Sequence, residues 1–147
     1  MAPVTRVSRE ALLPFSARQM YDVVNDVATY PEFLPWCAGA VVLDSQPNLM
    51  TARVDVEMGG MRQSFTTRNE LTDGEEIRLD LVDGPFRRLH GCWQFRDLGH
   101  EGSKVSLELS FSFGSRLVAS TFGKVFGAAA NQMVDAFRKR AAALYDG

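Results

Sequence analysis

The sequence predicts an α+β domain. A curved antiparallel sheet of about seven strands wraps a long C-terminal helix, and two short helices follow the first strand. Three observations carry that expectation. A capped helical signature spans residues 16–28, directly after a first β-like run. From about residue 39 to 113 the apolar period is two, with turn residues as separators. From about residue 115 to 145 the period returns to that of a helix.

Length and composition agree with this plan. A chain of 147 residues suits one domain over 1–147, since a chain of this size buries about 68–70% of its unfolded surface. Apolar residues make up 46% and charged residues 23%, the balance of an ordinary globular protein. Net charge is −2 and the pI is about 5.7, so no global basic field exists to collect DNA. A local basic patch remains compatible with those values. The N-terminal residues lack the apolar run of a secretory signal, and nowhere do 18 apolar residues occur in a row. The expected location is the cytoplasm, with attachment to the inner membrane surface at most. Cys37 and Cys92 have no CxxC partner and are expected to be unpaired packing residues.

The elements follow in order. Residues 4–13 suit the first strand. Ser16 and Gln19 then form an S-x-x-Q capping box, with Phe15 and Met20 at the two positions of a hydrophobic staple. Met20, Val23, Val24, Val27 and Ala28 recur as one helical stripe about three turns long. Tyr30-Pro31 stops that helix, and Pro31 is placed to start a second one through Phe33 and Leu34. Strand-like runs follow at 40–44, 51–58, 62–71, 76–82, 89–98 and 104–113. Their separators are Gln46-Pro47-Asn48, Gly59-Gly60, Asp73-Gly74, Gly84-Pro85 and the segment 99–102. Such short connections leave no room for crossover helices, so the strands form an antiparallel meander. In the last strand Val105, Leu107, Leu109, Phe111 and Phe113 alternate with polar residues, giving one dry face. A final helix over 115–145 would be roughly 45 Å long. A twisted sheet curling around it leaves interior space for a ligand.

Two motifs make the pattern specific. One is Tyr30-Pro31-Glu32-Phe33-Leu34-Pro35-Trp36-Cys37. The other is Gly84-Pro85-Phe86-Arg87-Arg88-Leu89, followed by Gly91-Cys92-Trp93-Gln94-Phe95. With the order of elements, they resemble the START-like (polyketide cyclase/dehydrase-type) family. More narrowly, they resemble its branch of coenzyme Q-binding proteins and RatA ribosome-association toxins. The resemblance implies a helix-grip fold, as in START-like and Bet v 1-like proteins, and a bound ubiquinone or other lipid. For RatA-type members it implies binding to the large ribosomal subunit and a block on subunit association.

The residues themselves favour binding over catalysis. His90 and His100 lie in polar, turn-adjacent stretches without metal-ligand spacing, and no GxSxG or phosphate loop occurs. No metal and no catalytic cofactor are expected. Arg53, Asp55, Glu57, Arg62, Arg68 and Asn69 read as a solvated sheet face. The candidate ligand wall on the sheet is Met58, Phe65, Leu79, Leu81, Trp93, Leu107, Leu109 and Phe111. Phe122, Phe126 and Met133 face it from the last helix. Phe, Met and Leu make adaptable walls for a flat ring and a flexible tail. Phe33 and Trp36 are candidate mouth residues, and Phe86 is the aromatic tip of a candidate lid. Gly123 and Gly127 stand one helical turn apart and invite close approach by a strand, a helix or a ligand. Arg87 and Arg88, with Arg138, Lys139 and Arg140 near the helix end, are candidates for an anionic surface such as phospholipid or ribosomal RNA.

The leading expectation is a non-enzymatic carrier or chaperone of ubiquinone or a related isoprenoid quinone, supporting respiratory electron transport. The alternative is a RatA-type toxin working through its surface. A third is a cyclase-like enzyme for aromatic polyketides, which would need a polar group aimed into the cavity.

Overall fold

The computed structural model describes residues 4–146, so residues 1–3 and 147 of the predicted domain lie outside the described residues. Strand β1 (Thr5–Leu13) leads into helix α1 (Ala17–Asn25). Ser16 Oγ accepts from the Gln19 N–H and Gln19 Oε1 from the Ser16 N–H, both at 3.0 Å, which closes the capping box. Asp97 Oδ1 accepts from the Ala17 N–H at 2.8 Å, satisfying another amide that a helix start leaves unpaired. Phe15 and Met20, the staple pair, are both buried.

Helix α1 is shorter than its apolar stripe implies. Asp26 adopts φ −84°, ψ 67°, outside the helical region. Its carbonyl instead accepts from the backbone N–H and the hydroxyl of Thr29, at 3.1 and 2.8 Å. The second short helix follows as a 3-10 helix over Val27–Glu32; it contains Pro31 and ends before Phe33 and Leu34. Val27 and Tyr30 stay buried, which keeps the stripe's packing role.

The meander comprises β2 (Cys37–Gln46), β3 (Leu49–Met58), β4 (Met61–Thr72), β5 (Glu76–Asp83), β6 (Phe86–Asp97) and β7 (Ser103–Phe113). Each neighbouring pair is antiparallel, and the sheet order is β1-β7-β6-β5-β4-β3-β2. The first and last strands of the chain thus lie side by side. Register shifts at Cys37/Gly39, Val42/Asp44, Thr66/Thr67 and Phe86/Arg88 bend the strands and deepen the curl.

The predicted single helix over 115–145 is two: α2 (Arg116–Ser120) and α3 (Phe122–Tyr145). The break is Thr121, at φ −107°, ψ −82°. The Leu117 carbonyl draws the Thr121 hydroxyl at 2.6 Å, the Ser120 hydroxyl at 3.1 Å and the Thr121 N–H at 3.1 Å. Hydroxyls that bond back to a carbonyl one turn earlier bend helices. The kink drops Phe122 fully into the core. There it meets Phe113 edge-on, with ring centroids 6.0 Å apart. Gly123 follows because a Cβ at that position would come within 2.9 Å of the Phe113 ring.

Candidate functional site

Between the concave sheet and α3 lies a cavity of about 80 Å³. Of the sequence-predicted ligand wall it brings together Phe65, Leu79, Trp93, Leu107 and Leu109 from the sheet, and Phe126 and Met133 from α3. Trp36, a predicted mouth residue, also lines it and is itself buried. Gly91 makes part of the space, since a Cβ there would meet Leu109 at 2.8 Å and Leu79 at 3.4 Å.

The remaining predicted residues stand outside the lining, each for a packing reason. Phe86 begins β6 pointing inward rather than tipping a lid. Its ring stacks on Phe113 at 5.0 Å and meets Phe126 edge-on at 4.8 Å. Phe111 lies 4.9 Å from Phe126, and Phe122 lies 5.9 Å from Phe86. These rings form a solid aromatic cluster that fills one end of the grip. Phe33 packs on Tyr30 at 6.1 Å and Phe137 at 5.6 Å, with the Arg140 guanidinium 5.0 Å above its ring. Met58 pairs with Met61 at the β3–β4 turn, and Leu81 lies where β5 leaves β6, beside an open groove on the other side of the sheet. Gly127 faces the tip of the Phe111 ring at 3.9 Å. The close approach at both helical glycines is therefore to β7 phenyl rings.

Besides aliphatic side chains such as Val54, Ile77 and Leu89, sequence reasoning missed two further kinds of lining residue. Small ones, Ala52, Ala129 and Ala130, leave the space that larger neighbours would have filled. Polar ones, Asn25, Thr67 and Asn69, line it as well. Asn69 is not on the solvated face: it is 4% exposed, and its Oδ1 accepts from the Thr67 hydroxyl at 2.7 Å. The signal was available, because Phe65, Thr67 and Asn69 share one face of β4 by period two. Asn25 Oδ1 is buried without a hydrogen-bond partner, so the cavity offers a free acceptor. The Tyr30 hydroxyl donates to the Val24 carbonyl, and burial drives its pKa upward. The lining contains no carboxylate, imidazole, ammonium or thiol. Among the described residues no group of three or more His, Cys, Asp or Glu side chains is arranged to hold a metal ion.

On the outer face of the sheet, His90 Nδ1 lies 2.8 Å from Asp80 Oδ1, and both side chains are exposed. Asp55 differs from the solvated reading. It is 9% exposed, accepts from Ser64 Oγ at 2.6 Å and lies 3.4 Å from Arg53. Two predicted basic clusters fare differently. Arg138 and Lys139 both pair with Asp135, at 2.8 and 3.2 Å, and Arg140 pairs with Glu32 at 3.3 Å. Arg87 and Arg88 are exposed and form no ion pair among the described residues.

The comparisons agree with this architecture. Residues 13–138 match the family model described as polyketide cyclase/dehydrase and lipid transport. The ribosome association toxin RatA of Pseudomonas aeruginosa is 50% identical over 141 residues, covering 96% of this chain and 98% of that protein. A mitochondrial coenzyme Q-binding protein COQ10 homolog B from Xenopus laevis is 30% identical, over 94% of this chain and 58% of that protein. Among solved structures, the Zhui aromatase/cyclase from Streptomyces sp. R1128 superposes with a TM-score of 0.81 at 16% identity, covering 95% and 94% of the two chains. That last likeness speaks for the fold alone. The family match across most of the chain, the near-complete overlap with a half-identical relative and the helix-grip geometry converge: this chain, with its START-like fold, belongs to the polyketide cyclase/dehydrase and lipid transport family.

Proposed function

We propose that this protein is a ribosome-association toxin of the RatA kind, which binds the large ribosomal subunit and blocks subunit joining. The observation that carries the reading is 50% identity over nearly all of both chains with a protein of that name. The cavity supports it by its size. Pockets that hold drug-sized ligands run about 300–1,000 Å³, whereas this one is about 80 Å³, room for a few waters. Polar atoms such as Asn25 Oδ1 suit waters of that kind. The working part is therefore the outer surface, and the action is non-enzymatic binding in the cytoplasm. Among the described residues no helix is long and apolar enough to cross a membrane. Sucrose-gradient profiles after overexpression test the proposal: free subunits should accumulate at the expense of joined ribosomes, and an unchanged profile refutes it.

Hydrophobic-ligand binding is the second reading, favoured by one observation, the almost wholly apolar cavity walls. Lipid extraction and mass spectrometry of the purified protein, with a quinone uptake assay, test it. Empty protein that takes up no quinone removes it.

A further inference from the structure

We propose that the outer face of the sheet, where β5 and β7 end and β6 begins, is a phosphate-binding surface for ribosomal RNA built by Arg6, Arg68, Arg87 and Arg88. The proposal rests on the ribosomal reading above and specifies which part of the molecule makes the contact. Strand pairing, rather than sequence proximity, assembles the surface. Arg6 pairs with Ser110, Ser110 with His90, His90 with Asp80 and Asp80 with Arg68. One row of outward side chains thus crosses five strands, roughly 19 Å at about 4.8 Å per strand. Arg88, opposite Ser112, lies one outward position along from His90, and Arg87 is beside it.

Charge distinguishes this end of the sheet. The four guanidiniums form no ion pair among the described residues; the carboxylates beside them are Asp80 opposite Arg68, Glu70 one outward position from Arg68, and Glu108 one outward position from Ser110. Asp80 is already engaged by His90. Further along the same face the charges are mixed, with Glu76 paired to Arg78 and Glu10 to Lys104. On a chain of net charge −2, this end of the sheet thus gathers four arginines that have no ion-pair partner among the described residues. All four cations are arginines, whose planar forks match phosphate oxygens two at a time. The ground between them is open. The β5–β6 ladder stops at Asp80↔His90, and beyond it a groove of about 590 Å³ opens, lined by Arg6, Arg87, Arg88 and Ser110 among others.

RNA fits better than a bilayer because the apolar side chains exposed beside the arginines are two valines, Val4 and Val82, with no aromatic side chain among them. The aromatic tip of the Gly84-Pro85-Phe86 loop is turned into the core, where Phe86 is 7% exposed. The helix-end cations are not part of the surface, since Asp135 and Glu32 already hold them.

Binding of the full-length protein to isolated large ribosomal subunits, measured by co-sedimentation over a salt series, tests the surface. Each arginine in contact with a phosphate should contribute about one unit to the slope of log K against log[salt]. Arg87→Gln/Arg88→Gln should lower the slope by about two units, and adding Arg6→Gln and Arg68→Gln by about four in all. Arg138→Gln/Lys139→Gln should bind as wild type does. Thermal melts of each variant exclude loss of fold as the cause. Wild-type binding with an unchanged slope in the quadruple variant overturns the surface while leaving the ribosomal reading intact. Wild-type protein that ignores the subunits overturns the ribosomal reading, and this surface with it. Arginine-dependent binding to phosphatidylglycerol vesicles in place of subunits assigns the patch to membranes and refutes the RNA proposal.

Discussion

Two alanine substitutions one helical turn apart should act in opposite directions on stability. In the interior of α3, replacing glycine by alanine gains about 1 kcal/mol from helix propensity and lower unfolded-state entropy. At Gly127 nothing opposes that gain, because a Cβ would touch the Phe111 ring at 3.9 Å, an ordinary contact distance. Gly127→Ala should therefore stabilise by about 1 kcal/mol, raising Tm by roughly 2–4 °C for a chain of this size. At Gly123 the new methyl would lie 2.9 Å from Phe113 Cε2 and 3.4 Å from Cδ2. That ring cannot swing away, being stacked on Phe86 at 5.0 Å and held edge-on by Phe122 at 6.0 Å. Gly123 is the second residue of α3, where the helical gain is smaller, and overpacking of this sort costs about 1–3 kcal/mol, which outweighs it and leaves a net loss of about 1 kcal/mol or more. Urea titrations of both variants give the two signs directly. Equal stabilisation by both would mean that α3 does not approach β7 through Gly123, and would refute the account of the kink at Thr121.

Two further predictions concern the interior. Thr67→Val should cost about 1–3 kcal/mol by stranding the buried Asn69 carbonyl, whereas Thr67→Val with Asn69→Leu should recover most of that loss; chemical denaturation of the single and double variants checks it. Burial pushes the thiols of Cys37 and Cys92 up to about 11, against about 8.5 for a free thiol, so their reaction with a disulfide reagent at pH 8 should be at least about tenfold slower than that of free cysteine, the loss of thiolate outweighing its greater nucleophilicity. The unfolded chain ionises first as pH rises, so this contribution to stability is complete below about 8.5 and is lost on rising through about 11; pH-dependent melts of the native protein against a Cys37→Ser/Cys92→Ser variant read it out.

Local signals in the sequence translated well into structure. The capping box at Ser16 and Gln19, the alternation along β7 and the turn chemistry between strands each depend on a few neighbouring residues, and each appears where the periodicity puts it. The elements that changed depend on tertiary competition. Residues 115–145 have an unbroken helical stripe, but the Leu117 carbonyl attracts two hydroxyls and Phe122 has a buried place waiting among the β7 rings, so the helix bends at Thr121. The cavity was harder to read for a related reason. Large aromatic residues announce themselves in a sequence yet consume volume, as Phe86, Phe111 and Phe122 do. The residues that leave volume, such as Ala52 and Ala129, carry no signal until something is known to face them. Likewise Arg6 and Arg68 become neighbours of Arg87 and Arg88 only through a pairing register that spans most of the chain.

The side-by-side placement of β1 and β7 has a consequence for synthesis. Thr5 pairs with Phe111 and Leu13 with Ser103, so the first strand to leave the ribosome must wait for the last strand before it finds a partner. Until then it has an unpaired edge, and the surface that α3 covers is bare. Such long-range closure slows folding and exposes the nascent chain to misassociation. It also means that the sheet is complete only when nearly the whole chain has emerged. A protein proposed to act on ribosomes would thus close its sheet only after β7 has followed β1 out of the one that made it.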